Sequence, residues 1–328
     1  VTAANWPVVL IEFITDTTFK GLFAVPVVGA AIIVGMLLGG DIGAMTRGSL
    51  REAATTVGAA LRAEPLAFGS FVAAFLLVLG GGSVLTFLVK GGTVSVLVEG
   101  EAVAGPIERP PLRMAAVRRA ARFSLDGFTQ SCLDLFRPFL ALGLLLMGVY
   151  LVSGAVYLLV VYAGYTTMGR HATLLGWPLL AAVAAIGLAL WVTVVNLLYL
   201  LVQVALVAGP RGRSVRGAIG TVAGFLRRDL RVIASVFGVV LVLIVLATVA
   251  SALAWSGVGL IAFVPFVGVA VVPLQLAGLV VRGVVFEYLE LTALSAYVAL
   301  FQSYLRRAAG GPGADAVSGT VPPIGRPA

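Results

Sequence analysis

Charge is scarce in this 328-residue chain. Only 11% of residues are Asp, Glu, Lys or Arg, against 60% hydrophobic, and the mean hydropathy is +1.10. Water-soluble domains carry roughly 25% charge. This deficit excludes a soluble globular domain, a disordered chain and a coiled coil. Long continuous apolar runs also exclude an outer-membrane barrel, whose strands alternate. Lysine is nearly absent: Lys20 and Lys90 are the only two, and the other 20 basic residues are arginine. A single cysteine, Cys132, permits no intrachain disulfide and no cysteine-based metal site. A single histidine, His171, beside Arg170 in a short polar stretch, has no neighbours that would make it a metal ligand.

The catalytic signatures are missing as well. There is no phosphate-binding Walker loop, no Gly-x-Ser-x-Gly, no HExxH, no CxxC and no dinucleotide fingerprint. Nothing therefore calls for a cofactor or a metal, and the polar connectors are too short to hold a catalytic domain. The net charge of +8 is carried by arginines that flank apolar spans without a recognition motif, which argues against nucleic acid as a partner. No basic stretch followed by a short apolar run and a cleavage site opens the chain.

What is present is a succession of runs long enough to cross a bilayer, so the expected fold is an all-α integral membrane protein. The runs Leu22–Leu38, Phe139–Val161, Trp177–Val207, Val232–Ala254 and Val258–Val281 read as spans, the last two joined by a turn at Trp255-Ser256-Gly257. The segment Leu66–Val98 admits two readings. It is either one span capped near Lys90-Gly91, or a hairpin turning at Gly80-Gly81-Gly82. The bundle accordingly has six or seven membrane segments. The positive-inside rule is met by both arrangements.

An ungapped internal similarity favours the hairpin. Ser49–Leu76 and Ser214–Leu241 share nine identities in 28 positions, among them Arg51 with Arg216 and Arg62 with Arg227. Each copy is a basic amphipathic helix leading into a span, which defines repeat-like units at about 49–98 and 214–281. Copies that keep one orientation need equivalent segments on one side, giving seven segments with the N-terminus outside. The arginine-rich stretches around Arg113, Arg118, Arg119 and Arg122, and around Arg213, Arg216, Arg227 and Arg228, read as interfacial helices touching anionic headgroups. One polytopic domain thus covers residues 1–307, and the Gly- and Pro-rich stretch 308–328 reads as a disordered cytoplasmic tail.

Few side chains within the spans carry chemistry. Lys90, with Glu99, Glu101, Glu287 and Glu290 as available carboxylates, is the sharpest of them. A lysine at membrane depth needs a partner, and Glu287 and Glu290 share a helical face. Lys90, Glu287 and Glu290 therefore form the candidate intramembrane polar site. The simpler readings are a lysine snorkelling at a span end and two glutamates on the exposed face of a cytoplasmic helix. Asn196, Gln203 and Gln275 read as interhelical hydrogen-bonding groups, and Cys132 as a packed small residue.

The run Phe87-Leu88-Val89-Lys90-Gly91-Gly92-Thr93-Val94, the block Ile107-Glu108-Arg109-Pro110-Pro111-Leu112-Arg113 and the repeated unit resemble uncharacterised bacterial inner-membrane proteins. More loosely, they are similar to the membrane domain accompanying some glycerophosphodiester phosphodiesterases. The resemblance implies a fold type and a bacterial cytoplasmic membrane with a cytoplasmic C-terminus. It implies no phosphodiesterase activity. The expected role is a non-enzymatic accessory or scaffolding subunit that contacts other membrane proteins, or its own copies, and anionic phospholipid. The other reading is a transporter or lipid-handling carrier with its polar site around Lys90.

Overall fold

The computed structural model describes residues 1–38, 65–104, 118–121, 123–168, 176–209, 214–262 and 267–309. After a short 3-10 turn at Ala3–Asn5 come six long helices: α1 (Trp6–Leu38), α2 (Pro65–Ala104), α3 (Leu125–Met168), α4 (Gly176–Ala208), α5 (Val215–Ala262) and α6 (Val267–Ala309). No strand occurs among the described residues. The all-helical membrane-protein expectation is met: α2 to α6 are each long and apolar enough to cross a bilayer. In hydrocarbon a helix is the economical choice, because every backbone N–H and C=O finds its partner within the same segment.

Three expected boundaries are corrected. First, α2 runs unbroken from Pro65 to Ala104, through Gly80-Gly81-Gly82, so there is no hairpin. Each glycine costs about 1 kcal/mol relative to alanine inside a helix. A turn at those glycines would leave backbone groups without partners in lipid, which costs more. Gly82 also has a packing use, since the Phe19 ring of α1 occupies the space a Cβ would fill. Second, α5 continues through Trp255-Ser256-Gly257 to Ala262, so the expected turn is helix. Third, α1 begins at Trp6, sixteen residues before the charge-free run starts at Leu22.

The orientation argument from the repeat also falls. The C-terminal part of α2 meets α6 where Gln302 Nε2 donates to the Val98 carbonyl at 3.0 Å. The N-terminal part of α5 meets the same end of α6 through Arg307 and Asp229. The two similar segments thus run in opposite directions. The basic part of the first unit, up to Glu64, lies outside the described residues, as does the proposed tail beyond Ala309.

The helices alternate in direction and pack tightly at one end only. That end collects the beginnings of α1, α3 and α5 and the ends of α2, α4 and α6. Here α4 is the central helix: Leu201 to Leu206 are buried on every side, the expected result for a helix that is apolar all round. Phe139, Phe225 and Phe301 are fully buried, with Phe225 and Phe301 meeting edge to face at 5.4 Å. A Cβ on Gly92 of α2 would run into Cys132 Sγ and the Phe128 ring of α3, so glycine sets that close approach. The N-terminus is tied into the same end. Thr2 Oγ1 donates to the Leu291 carbonyl at 3.2 Å, and Asn5 Nδ2 donates to the Ala120 carbonyl at 2.8 Å.

The opposite half differs. Leu77, Leu151, Leu158, Leu179, Leu246 and Leu253 are all exposed there. Among the few cross-helix ties in that half, Trp191 Nε1 of α4 donates to Ser153 Oγ of α3 at 2.9 Å, and the Tyr150 hydroxyl donates to Asn196 Oδ1. The second matches the interhelical role expected of Asn196.

Candidate functional site

The site forms at the seam between the two halves, where α1, α2 and α6 meet. On α2, Ser83, Thr86 or Phe87, and Lys90 follow one another at helical spacing and share a face. That face carries Lys90 to the packed end of the open half. Its ammonium Nζ lies 2.8 Å from Glu290 Oε1 of α6 and 3.4 Å from Glu12 Oε2 of α1. The lysine side chain is 15% exposed and Glu12 only 3%, whereas Glu290 is 54% exposed. The pair is therefore reachable from the Glu290 side and closed on the Glu12 side.

Glu287 stands one turn before Glu290 and is buried. It lies within electrostatic reach of Lys90, Glu12 and Asp16. The site thus holds three carboxylates, Glu12, Glu287 and Glu290, around one ammonium. Two of its polar atoms, Glu12 Oε1 and Glu287 Oε2, are buried without a hydrogen-bond partner among the described residues, as are Thr93 Oγ1, Gln203 Nε2 and Tyr297 OH elsewhere in the bundle. Buried polar groups are normally satisfied, and each one left alone costs about 1–3 kcal/mol.

The expected trio Lys90, Glu287 and Glu290 is brought together. Lys90 lies in the long apolar helical stretch Phe68–Ala104 and is held between two carboxylates. Glu287 is not on an exposed face. Glu99 bonds locally, accepting from Ser95 Oγ at 3.3 Å, and Glu101 is buried about three turns beyond Lys90.

Glu12 escaped the sequence reading because the first span was started at the charge-free run Leu22–Leu38. A signal was present. Glu12, Asp16 and Lys20 recur at four-residue spacing in an otherwise apolar stretch, which puts one polar stripe along a helix. Asp16 and Lys20 indeed pair with each other.

Beside the cluster lies a cavity of about 750 Å³ between α1, α2 and α3, within the roughly 300–1,000 Å³ of small-molecule sites. Its walls are mostly apolar, including Phe19, Leu79, Leu151 and Leu158, with Asp16, Ser83, Thr86 and Tyr150 as polar members. Asp16 is one turn from Glu12 and Thr86 one turn from Lys90, so the polar end of the cavity abuts the ion pair.

Of the arginines expected at headgroups, Arg118, Arg119, Arg216, Arg227 and Arg228 are exposed at the packed end. Arg113, Arg122 and Arg213 lie outside the described residues. Arg216, Arg227 and Arg228 sit on the first part of α5, a helix that meets the following span at a non-helical kink, Asp229 (φ −121°, ψ 25°), in keeping with the expected basic helix leading into a span. Arg307 forms a bidentate pair with Asp229 there, at 3.2 and 3.3 Å. No group of three or more His, Cys, Asp or Glu side chains suited to a metal ion occurs among the described residues.

No protein-family model matches the chain, and searches of curated proteins and of solved structures found no match either.

Proposed function

We propose that the protein is a non-enzymatic lipid-handling carrier of the cytoplasmic membrane, with the Lys90 cluster as its polar working site. The observation that carries this reading is a lysine in a long apolar helix, bridging carboxylates from two other helices one helical turn from a mostly apolar groove. Intramembrane charge is costly, about 2.5–3.5 kcal/mol per group on insertion scales, and marks substrate or ion pathways. A buried ion pair is also a poor way to stabilise a bundle, because apolar side chains of similar volume serve as well or better. The scaffold reading rested on the spans lacking a dense polar constellation; this cluster is one, and it moves the weight to a carrier.

The placement of the arginines supports an orientation. With α1 as a sixth membrane segment through Leu22–Leu38, both ends of the described chain fall on the arginine-rich side, which the positive-inside rule assigns to the cytoplasm. Anionic lipid would meet those arginines there.

The test is transbilayer lipid movement in liposomes holding the purified full chain. Phospholipids fluorescently labelled on an acyl chain are exposed to a reductant that bleaches only the outer leaflet. Movement faster than in protein-free liposomes, reduced at least about tenfold by Lys90→Met, is expected. Rates equal to those of empty liposomes for every headgroup tried would overturn the proposal.

A further inference from the structure

We infer that Glu287 is a proton-binding site inside the bundle, loaded while Lys90 bridges Glu12 and Glu290, and that lipid movement is linked to the proton it exchanges. The inference rests on the carrier reading above and adds a second ligand, the proton.

The ion pairing leaves one carboxyl over. Lys90 Nζ lies 2.8 Å from Glu290 Oε1 and 3.4 Å from Glu12 Oε2, so two carboxylates already share its charge. Glu287 joins no ion pair among the described residues. It is nevertheless only 9% exposed, and its Oε2 is buried without a hydrogen-bond partner there. An ionised carboxylate in that position is a buried charge with no counter-ion of its own, next to two ionised neighbours. Such a group takes up a proton instead. With the proton on Glu287, Lys90 and the three carboxyls sum to one negative charge; without it they sum to two.

The groups around Glu287 point the same way. On α6 itself Glu290 is one turn on, while Arg282 and Tyr288 are exposed and Arg282 lies over the Phe286 ring. From α1 come Glu12 and Asp16, the latter paired with Lys20, and from α2 comes Lys90. Tyr199 is the only titratable side chain of α4, and α5 has no charged side chain after Arg231. Carboxylates outnumber the one ammonium within reach.

The carboxyls also step from the surface inward. Glu290, 54% exposed, stands one turn from Glu287, and Asp16 in the groove wall stands one turn from the buried Glu12. The proton passes from Glu287 to the Glu290 carboxylate and out: one O–H bond breaks, another forms, and no other reactant is consumed. Its departure makes Glu287 a rival to Glu290 for the Lys90 ammonium, which gives the cluster two arrangements.

The test is infrared difference spectroscopy of the full chain in lipid nanodiscs, between about pH 5 and about pH 9, a range that covers carboxyls in buried sites. A protonated-carboxyl C=O band is expected that is lost as pH rises, is absent from Glu287→Gln and is kept by Glu99→Gln. A difference spectrum unchanged by Glu287→Gln would overturn the inference, and lipid movement without the Glu287 band leaves the carrier reading intact. The band without lipid movement at any pH would overturn the carrier reading, and the link with it, while keeping the proton site. Should Glu287→Gln fail to fold, lipid movement by the wild-type protein decides. Its rate relative to protein-free liposomes is expected to change at least about threefold over the same pH range, and a rate independent of pH contradicts the inference.

Discussion

The two halves of the bundle are made from the same apolar alphabet and use it in opposite ways. In the packed half, Leu201, Phe139, Phe225 and Phe301 are fully buried against other helices. In the open half, Leu151, Leu179 and Leu253 are 65–73% exposed and face what would be lipid. Lipid tails are as apolar as leucine, so no hydrophobic force drives those helices together there. Tight packing instead follows small residues and polar ties: Gly92 against Cys132, Thr2 and Asn5 pinning the N-terminus, Gln302 reaching Val98. The seam between the halves is where a cavity and a charge cluster coexist.

The sharpest way to break this comparison is to remove one charge at the seam. Lys90→Met leaves Glu12 buried without its counter-ion, and breaking a buried pair costs about 3–5 kcal/mol. Thermal unfolding in mild detergent should register a large fall in midpoint, and the Lys90→Met/Glu12→Gln/Glu290→Gln triple variant should recover most of it. A triple variant as unstable as the single one would show that the charges themselves hold the bundle together.

A matched pair of truncations comes next. Phe301→Ala, at a fully buried site, should cost about 3–5 kcal/mol, whereas Leu151→Ala, 73% exposed, should leave the midpoint nearly unchanged in the same detergent. Comparable losses at both positions would contradict the division into halves.

The glycines supply a finer contrast. Gly92→Ala pushes a methyl into Cys132 and Phe128 and should cost about 1–3 kcal/mol, as overpacking does. Gly148→Ala in the open half of α3 has no neighbour within 4 Å and should gain up to about 1 kcal/mol of helix propensity. The smallest effect is expected at the kink of α5. Arg307→Ala removes a partly exposed pair with Asp229 and should cost under about 1 kcal/mol, and less in high salt. Chemical denaturation of each variant beside wild type checks both contrasts.

How much of this was legible in the sequence follows from where each signal sits. The membrane helices were legible because apolar runs of span length have few soluble explanations. Lys90 stood out because charge inside such a run is rare, and Glu287 and Glu290 because their three-residue spacing puts them on one helical face. The rest was hidden by reading punctuation that holds in water. Gly80-Gly81-Gly82 and Trp255-Ser256-Gly257 look like turns, yet both lie within continuous helix, because a membrane segment offers the backbone no alternative partner. Glu12 was hidden by taking the first charge as the end of the helix. Its pairing with Lys90 joins residues 78 positions apart on different helices, and only the packing of α1 against α2 and α6 reveals it.

The most direct test of the account is to measure stability and lipid movement together on the Lys90→Met/Glu12→Gln/Glu290→Gln protein. If the cluster is a working site, this variant stays folded, its midpoint within about 2 °C of wild type, equivalent to roughly 1 kcal/mol for a chain of this size. It then moves lipid no faster than protein-free liposomes. A variant that still moves lipid at the wild-type rate would contradict the account.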